Sequence, residues 1–243
     1  MNDTNATIDP THGVRAFVLC GGLGTRLRPV LNDRPKSMAL IGGVPFLQLL
    51  LQELKAQGVE EVVLGTGYRA EQIEDFFRTG EHLGLRLFYS RENEPLGTGG
   101  ALKLAEPLLS EPVAVLNGDS YVEWSLAAML ELFRQKNAKI VMVLQAVPDV
   151  SRYGSVSIDS DGRVTEFVEK GTRTGAGLIN AGIYLLRKEI VTGLTAGNAT
   201  SLERDVFPQF LGEKFYGVVS RGTFIDIGIP ADLQRAQTVL QPG

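Results

Sequence analysis

The chain has 243 residues, of which 44% are apolar and 21% charged, and its formal net charge is −4. That length and composition suit one large α/β domain with a substantial core, and the acidic balance disfavours a nucleic-acid partner. The single cysteine, Cys20, excludes an intrachain disulfide and fits a reducing compartment, while two histidines leave no material for a His-rich metal site or a Ser-His-Asp triad.

Residues 1–12 are polar and include Asp9-Pro10. They lack the basic start and apolar stretch of a signal peptide and read as a flexible tail. No apolar run approaches the roughly 18 residues of a membrane helix, so no membrane association is expected and the cytoplasm is the expected location. Residues 14–19 read as a buried strand that runs into Gly21-Gly22. Pro45 opens a helix with Leu47, Leu50, Leu51 and Leu54 on one face and Gly58 just past its end. Strands follow at 61–65, 85–90 and 113–116, with a helix at 70–78 between the first two. A helix at 124–135 and a strand at 140–146 come next. Strands alternating with helices imply βαβ units and a mostly parallel sheet. Beyond about residue 150 the rhythm changes. A hairpin is expected over 156–168 around Asp161-Gly162, then a strand at 181–186, a helix at 201–210, a strand at 215–219 and a closing helix at 230–240. No linker or repeat divides the chain. Residues 13–243 are expected to form one domain of two halves, about 13–120 and about 121–243, with a cleft at the carboxyl ends of the strands.

Four stretches carry chemistry. The first is Cys20-Gly21-Gly22-Leu23-Gly24-Thr25-Arg26-Leu27-Arg28-Pro29, directly after the first strand. Its three glycines let the backbone turn tightly and bring N–H groups close to a phosphate, and Arg26 and Arg28 add matching charge. It is not a P-loop, because no Gly-Lys-Ser/Thr closes it, and Leu27 stands where a dinucleotide fingerprint needs its third glycine. A plain strand-to-helix turn is the structural alternative. Lys36, stiffened by Pro35, could reach the same phosphates or be a solvated surface lysine. The second stretch is Asn117-Gly118-Asp119 at the end of a strand, where a carboxylate would point into the cleft and suit Mg²⁺. The third is Phe224-Ile225-Asp226-Ile227-Gly228-Ile229-Pro230, an aspartate before a glycine turn and a helix. Either aspartate also fits a turn or helix cap. The fourth is Glu92 to Ala101, in which Gly97, Gly99 and Gly100 would let a planar base lie against the backbone.

The run from Gly21 to Pro29, followed by Pro35-Lys36, resembles the signature of the sugar-1-phosphate nucleotidyltransferases, and later stretches agree in order and spacing. The resemblance implies a Rossmann-like, mostly parallel mixed sheet flanked by helices, the glycosyltransferase-A-like nucleotidyltransferase fold. It implies catalytic roles for Arg26, Lys36, Asp119 and Asp226, with the two aspartates jointly binding Mg²⁺. Leu19, Gly21, Gly22, Gly24, Thr25, Glu92, Gly97, Thr98 and Gly118 would join Arg26 and Lys36 in holding the nucleotide. Tyr153, Gly154, Glu169, Lys170 and Asn180 would hold the sugar phosphate, with Lys170 on the 1-phosphate. From the residues alone, Glu169 and Lys170 are a surface charge pair. Ser37 departs from the second proline that many members carry. Several pyrimidine-using relatives have glutamine where this chain has Glu92. A carboxylate only accepts hydrogen bonds, and guanine offers N–H donors on its Watson–Crick edge, whereas uracil and thymine offer one donor flanked by acceptors. GTP is therefore the expected nucleotide, with an exposed loop glutamate as the structural alternative.

The implied reaction joins a nucleoside triphosphate and a sugar 1-phosphate and releases pyrophosphate. The stretches at 31–36 and 224–230 look most like the branch that makes GDP-D-glycero-D-manno-heptose, then like the mannose-1-phosphate guanylyltransferases, then like uridylyl and thymidylyl relatives. A non-catalytic nucleotide-sugar-binding regulator would require loss of Arg26, Lys36 or an aspartate. A cytidylyltransferase of polyol or choline phosphate is opposed by Glu169-Lys170 and by Asn180-Ala-Gly-Ile-Tyr184. A homo-oligomer is left open.

Overall fold

The computed structural model describes residues 11, 13–27, 29–168 and 171–240. Most of the tail expected over 1–12 lies outside the described residues, as do Arg28, Glu169 and Lys170. Strand β1 (Arg15–Leu19) is followed by the short strands β2 (Leu40–Ile41) and β3 (Val44–Pro45) and by helix α1 (Phe46–Ala56). Helix α1 starts directly after Pro45, buries Leu47, Leu50, Leu51 and Leu54, and is followed by Gly58 at φ 85°. Then come β4 (Glu61–Thr66), α2 (Ala70–Phe77), β5 (Arg86–Arg91), α3 (Gly97–Leu104) and β6 (Val113–Asn117). These are βαβ units, and β6, β1, β4 and β5 lie side by side in parallel. The chain leaves β1 for β4 on one side and returns as β6 on the other. The strand order therefore reverses at β1, and a crevice opens at the carboxyl ends there.

The second half adds β7 (Ser120–Val122), α4 (Leu126–Gln135), β8 (Ile140–Val147), β9 (Ser155–Ile158), β10 (Val164–Val168), β11 (Gly177–Leu186), α5 (Lys188–Thr192), β12 (Phe215–Ser220), β13 (Phe224–Asp226) and α6 (Pro230–Val239). Strand β11 joins the halves by pairing antiparallel with β6, Ile183 opposite Leu116 and Tyr184 opposite Val115. It also pairs with β8 and β9, while β12 runs parallel to β8. The result is one mixed sheet of nine strands among the described residues. The expected hairpin forms from β9 and β10, with Gly162 at φ 77° in its turn. No helix of the described residues is long and apolar enough to cross a membrane.

Alternation along the strands divides the core between the two sheet faces. On β1, Ala16 and Val18 belong to the same core layer as Leu47, Phe77 and Leu130, whereas Phe17 belongs to that of Leu102, Val191 and Phe207. A smaller cluster packs Ile41 and Phe46 against Ile225 and Ile227 and so anchors the segment that carries Asp226.

Three expectations change. The helix expected over 201–210 is a π-helical turn, Leu202–Val206, and a 3₁₀ turn, Phe207–Phe210. Pro208 has no N–H to continue an α-helical ladder there. The strand expected at 181–186 begins at Gly177 and bends at Gly182, φ 81°, where the pairing register shifts. The glycine-rich stretch expected to be a loop becomes helix α3 from Gly97 onward.

Candidate active site

A cleft of about 370 Å³ lies at the carboxyl ends of β1 and β6. It brings together residues 19–26, Lys36, Glu92, Gly97, Thr98, Gly118, Asp119 and Gly228 from segments distant in sequence. Gly118 follows β6 and its N–H donates to the Leu19 carbonyl at 2.9 Å. A side chain at Gly118 would collide with that backbone, so the approach of β6 to β1 at the cleft requires glycine.

Asp119 and Asp226 meet because β7 pairs antiparallel with β13, Asp226 opposite Ser120. The Ile227 N–H donates to the Asp119 carbonyl at 3.0 Å and locks the two segments together. Lys36 Nζ donates to Asp119 Oδ2 at 2.6 Å and lies 3.7 Å from Asp226 Oδ1. Burial first, and then the Asp119 charge, raise the Asp226 carboxyl above its ordinary value, with Lys36 opposing the rise. Asp226 Oδ1 accepts the Gly228 N–H at 2.7 Å. Arg26 reaches the same corner, since a side chain at Gly228 would stand 3.2 Å from its Nη2 and 2.8 Å from Asp226 Oδ1. Gly24, at φ 57°, lets the loop turn over Lys36. Two carboxylates converge where substrate phosphates would supply further oxygens, a donor set that fits Mg²⁺, which usually takes one or two carboxylates plus phosphate and water. The lysine ammonium between them shows that a positive charge suits the position. No group of three or more His, Cys, Asp or Glu that could hold a metal ion occurs among the described residues.

Glu92 follows β5 and accepts the Leu96 N–H at 3.1 Å. Its carboxylate packs against Gly21 and Gly67, where any side chain would collide with it. Burial raises its pKa above the ordinary value. The glycines of α3, in contrast, do not open space toward the cleft. Side chains at Gly97 and Gly100 would stand 2.6 Å from the Thr200 carbonyl oxygen and 2.7 Å from that of Asn198. The Gly99 N–H donates to Thr200 at 2.8 Å. The expectation that these glycines make room for a base is thus corrected: they admit the backbone of residues 198–200. Gly97 and Thr98 still line the cleft.

On the expected sugar side, Tyr153 packs edge-on against Phe224 with ring centres 5.7 Å apart. The Asn180 N–H donates to the Gly154 carbonyl at 3.1 Å. The Asn180 side chain is engaged within the protein, donating to the Tyr184 hydroxyl at 2.8 Å and accepting the Gly182 N–H at 2.9 Å. Glu169 and Lys170 lie outside the described residues. Sequence reasoning gave no role to two groups. Asn117, the first residue of the Asn117-Gly118-Asp119 stretch, lines the cleft with a buried Oδ1 that has no hydrogen-bond partner among the described residues. Arg152 forms an ion pair with the buried Asp232 of α6, tying the Tyr153 turn to that helix. Asn117 lies within a stretch already singled out, and its polar side chain at the end of a strand was the available signal. Arg152 and Asp232 carry no sequence signal that joins them.

The chain is 42% identical over 230 residues to the D-glycero-alpha-D-manno-heptose 1-phosphate guanylyltransferase of Aneurinibacillus thermoaerophilus, covering 94% of this chain and 99% of that protein. It is 38% identical to the mannose-1-phosphate guanylyltransferase of Mycobacterium tuberculosis, over 96% of this chain and 66% of that protein. HddC from Yersinia pseudotuberculosis, solved in complex with GMP-PN, superposes with a TM-score of 0.83 at 39% identity, covering 94% of this chain and all of that one. Residues 15–241 match the sequence model of the Nucleotidyl transferase family, and the chain belongs to that family.

Proposed function

We propose that the protein transfers a guanylyl group from GTP to D-glycero-D-manno-heptose 1-phosphate, giving the GDP-sugar and pyrophosphate. The observation that carries the reaction is the Asp119–Lys36–Asp226 cluster in a glycine-lined cleft at the sheet's switch point. A sugar phosphate oxygen, ionised near neutral pH, attacks the α-phosphorus. A new P–O bond forms there, the bond to the bridging oxygen of the β-phosphate breaks, and pyrophosphate carries away the electron pair. No general base is needed. The obstacle is the approach of two polyanions, so charge neutralisation and alignment are the protein's contribution. Arg26 and Lys36 hold the triphosphate and offset the charge that gathers around the reacting phosphorus. Mg²⁺, when held by Asp119 and Asp226, supplies further positive charge against the phosphate oxygens. Lys36 would then exchange its contact with Asp119 for one with phosphate. Tyr153, Gly154, Glu169, Lys170 and Asn180 are assigned to the sugar phosphate. Glu92 accepts from the N–H edge of guanine, and the identity to a heptose 1-phosphate guanylyltransferase over nearly the full length of both chains supports the acceptor.

The test is pyrophosphate release with Mg²⁺, crossing GTP, UTP, dTTP and CTP against heptose, mannose, glucose and N-acetylglucosamine 1-phosphates. GTP with the heptose phosphate is expected to turn over fastest, and a chelator to abolish turnover. A higher kcat/KM with mannose 1-phosphate would move the acceptor to the activity named for the mycobacterial relative. Turnover only with a pyrimidine nucleotide would overturn the role of Glu92.

A further inference from the structure

We propose that Glu203 is a positioning residue that sets the nucleotide-facing end of α3 and the bend of β11 relative to one another, so that the two substrate subsites are held in one geometry. The proposal rests on the assignment of those two sides made above. Glu203 touches neither the catalytic carboxylates nor Lys36. It stands on the π-helical turn Leu202–Val206, and both of its carboxylate oxygens are engaged. On one side Oε2 accepts from the Thr98 hydroxyl at 2.8 Å and from the Ser201 hydroxyl at 2.9 Å. The Thr98 oxygen in turn accepts the Leu202 N–H at 2.8 Å. On the other side Oε1 accepts from the Tyr184 hydroxyl at 3.2 Å, and that hydroxyl accepts from Asn180 Nδ2.

The proton directions follow from the groups themselves. An amide nitrogen can only donate, so the Tyr184 hydroxyl must receive from Asn180 and pass its own proton onward. Tyr184 is fully buried, so leaving its hydroxyl proton without an acceptor is costly. An acceptor is needed there, and a second one is needed for Thr98 and Ser201. A carboxylate meets both demands at once. A glutamine has a single carbonyl oxygen and must turn an NH₂ toward one side or the other. The backbone of 198–200, pressed against Gly97, Gly99 and Gly100, completes the brace on α3. The first turn of α3 lines the cleft, and Asn180 is bonded to Gly154 on the sugar side. A displacement on the order of 1 Å at either end would cost about 100-fold in rate.

The experiment compares Glu203→Gln, Tyr184→Phe and wild type by steady-state kinetics with both substrates varied, alongside thermal melting. Glu203→Gln is expected to raise the KM of both nucleotide and sugar phosphate about tenfold and to lower kcat. Tyr184→Phe keeps the Thr98 side intact and is expected to raise only the sugar-phosphate KM. A lower melting temperature with both KM values unchanged would overturn the proposal, since a purely structural carboxylate behaves that way. So would a Tyr184→Phe enzyme with wild-type KM for the sugar phosphate. The pattern is measured with whichever substrate pair the wild type turns over best, so a wrong guanine or heptose assignment shows in the wild type and leaves the Glu203 result readable. If Glu203→Gln does not fold, Tyr184→Phe and Thr98→Val, which removes the opposite link, carry the comparison, with the nucleotide KM expected to rise in the latter alone.

Discussion

Lys36 has its side chain 12% exposed between two carboxylates, one of them raised in pKa by burial and by the other. A lysine placed this way balances the charge of the two carboxylates, and under the proposed function it is the group that meets the triphosphate. Lys36→Ala is expected to lower kcat by about 100- to 1,000-fold, the range seen when one preorganised charge-stabilising group is removed. Single-turnover measurement with saturating substrates checks this, and a kcat within threefold of wild type would remove Lys36 from the mechanism. Glu92 gives a pH prediction. Its pKa is raised in the folded protein, and under the proposed function the ionised form is the one that accepts from guanine. GTP affinity is therefore expected to weaken as pH falls through the raised value. The same shift favours the folded state on protonation, because the folded protein holds that proton more tightly than the unfolded chain. Acid loss of GTP binding from this group is thus separate from unfolding. Titrating GTP affinity from about pH 8 to about pH 4, which passes the ordinary carboxyl range, with melting curves alongside, tests it. In Glu92→Gln the inflection is expected to vanish.

At the scale of single elements, α3 is the instructive case. Three of its first four residues are glycine, a composition that disfavours helix by about 1 kcal/mol per glycine relative to alanine. Read locally, Glu92 to Ala101 is a loop, and its glycines suggest space for a base. The helix forms because residues 198–200 pack on it and the Thr200 carbonyl accepts the N–H groups of Gly99 and Gly100, a contact about 100 residues away in the chain. Gly100→Ala would place a carbon 2.7 Å from the Asn198 carbonyl oxygen. That substitution is expected to destabilise by about 1–3 kcal/mol and to raise the nucleotide KM. Denaturant melts and kinetics read both effects, and an unchanged midpoint with unchanged KM would show that the brace is slack. Helix α1 is the opposite case. Its apolar face, its proline start and its glycine end are all local, and the observed helix matches them.

Over the whole molecule, β11 is the strand that makes one body of two halves. It pairs with β6 of the nucleotide side and with β8 and β9 of the other, and its side chains enter both core layers. Unfolding is expected as a single transition. Trp124, the only tryptophan in the sequence, packs against the core beside α4 and reports on the second half by fluorescence. Far-ultraviolet circular dichroism reports on the entire sheet. Coincident denaturant midpoints are expected, and two separated transitions would mean that the halves unfold independently. The same scale divides what could be read early from what could not. Alternating strands and helices and the glycine–arginine run after β1 were legible from residue order, because each depends on local periodicity or on a compact motif, whereas Lys36 and the two aspartates stood out only through the family resemblance. The pairing of β7 with β13 that sets Asp226 beside Asp119, the true neighbours of the α3 glycines, the Arg152–Asp232 ion pair and the Glu203 network were not legible. Each joins segments roughly 20 to 100 residues apart, and such contacts exist only once the sheet has closed and burial makes every unpaired polar group costly.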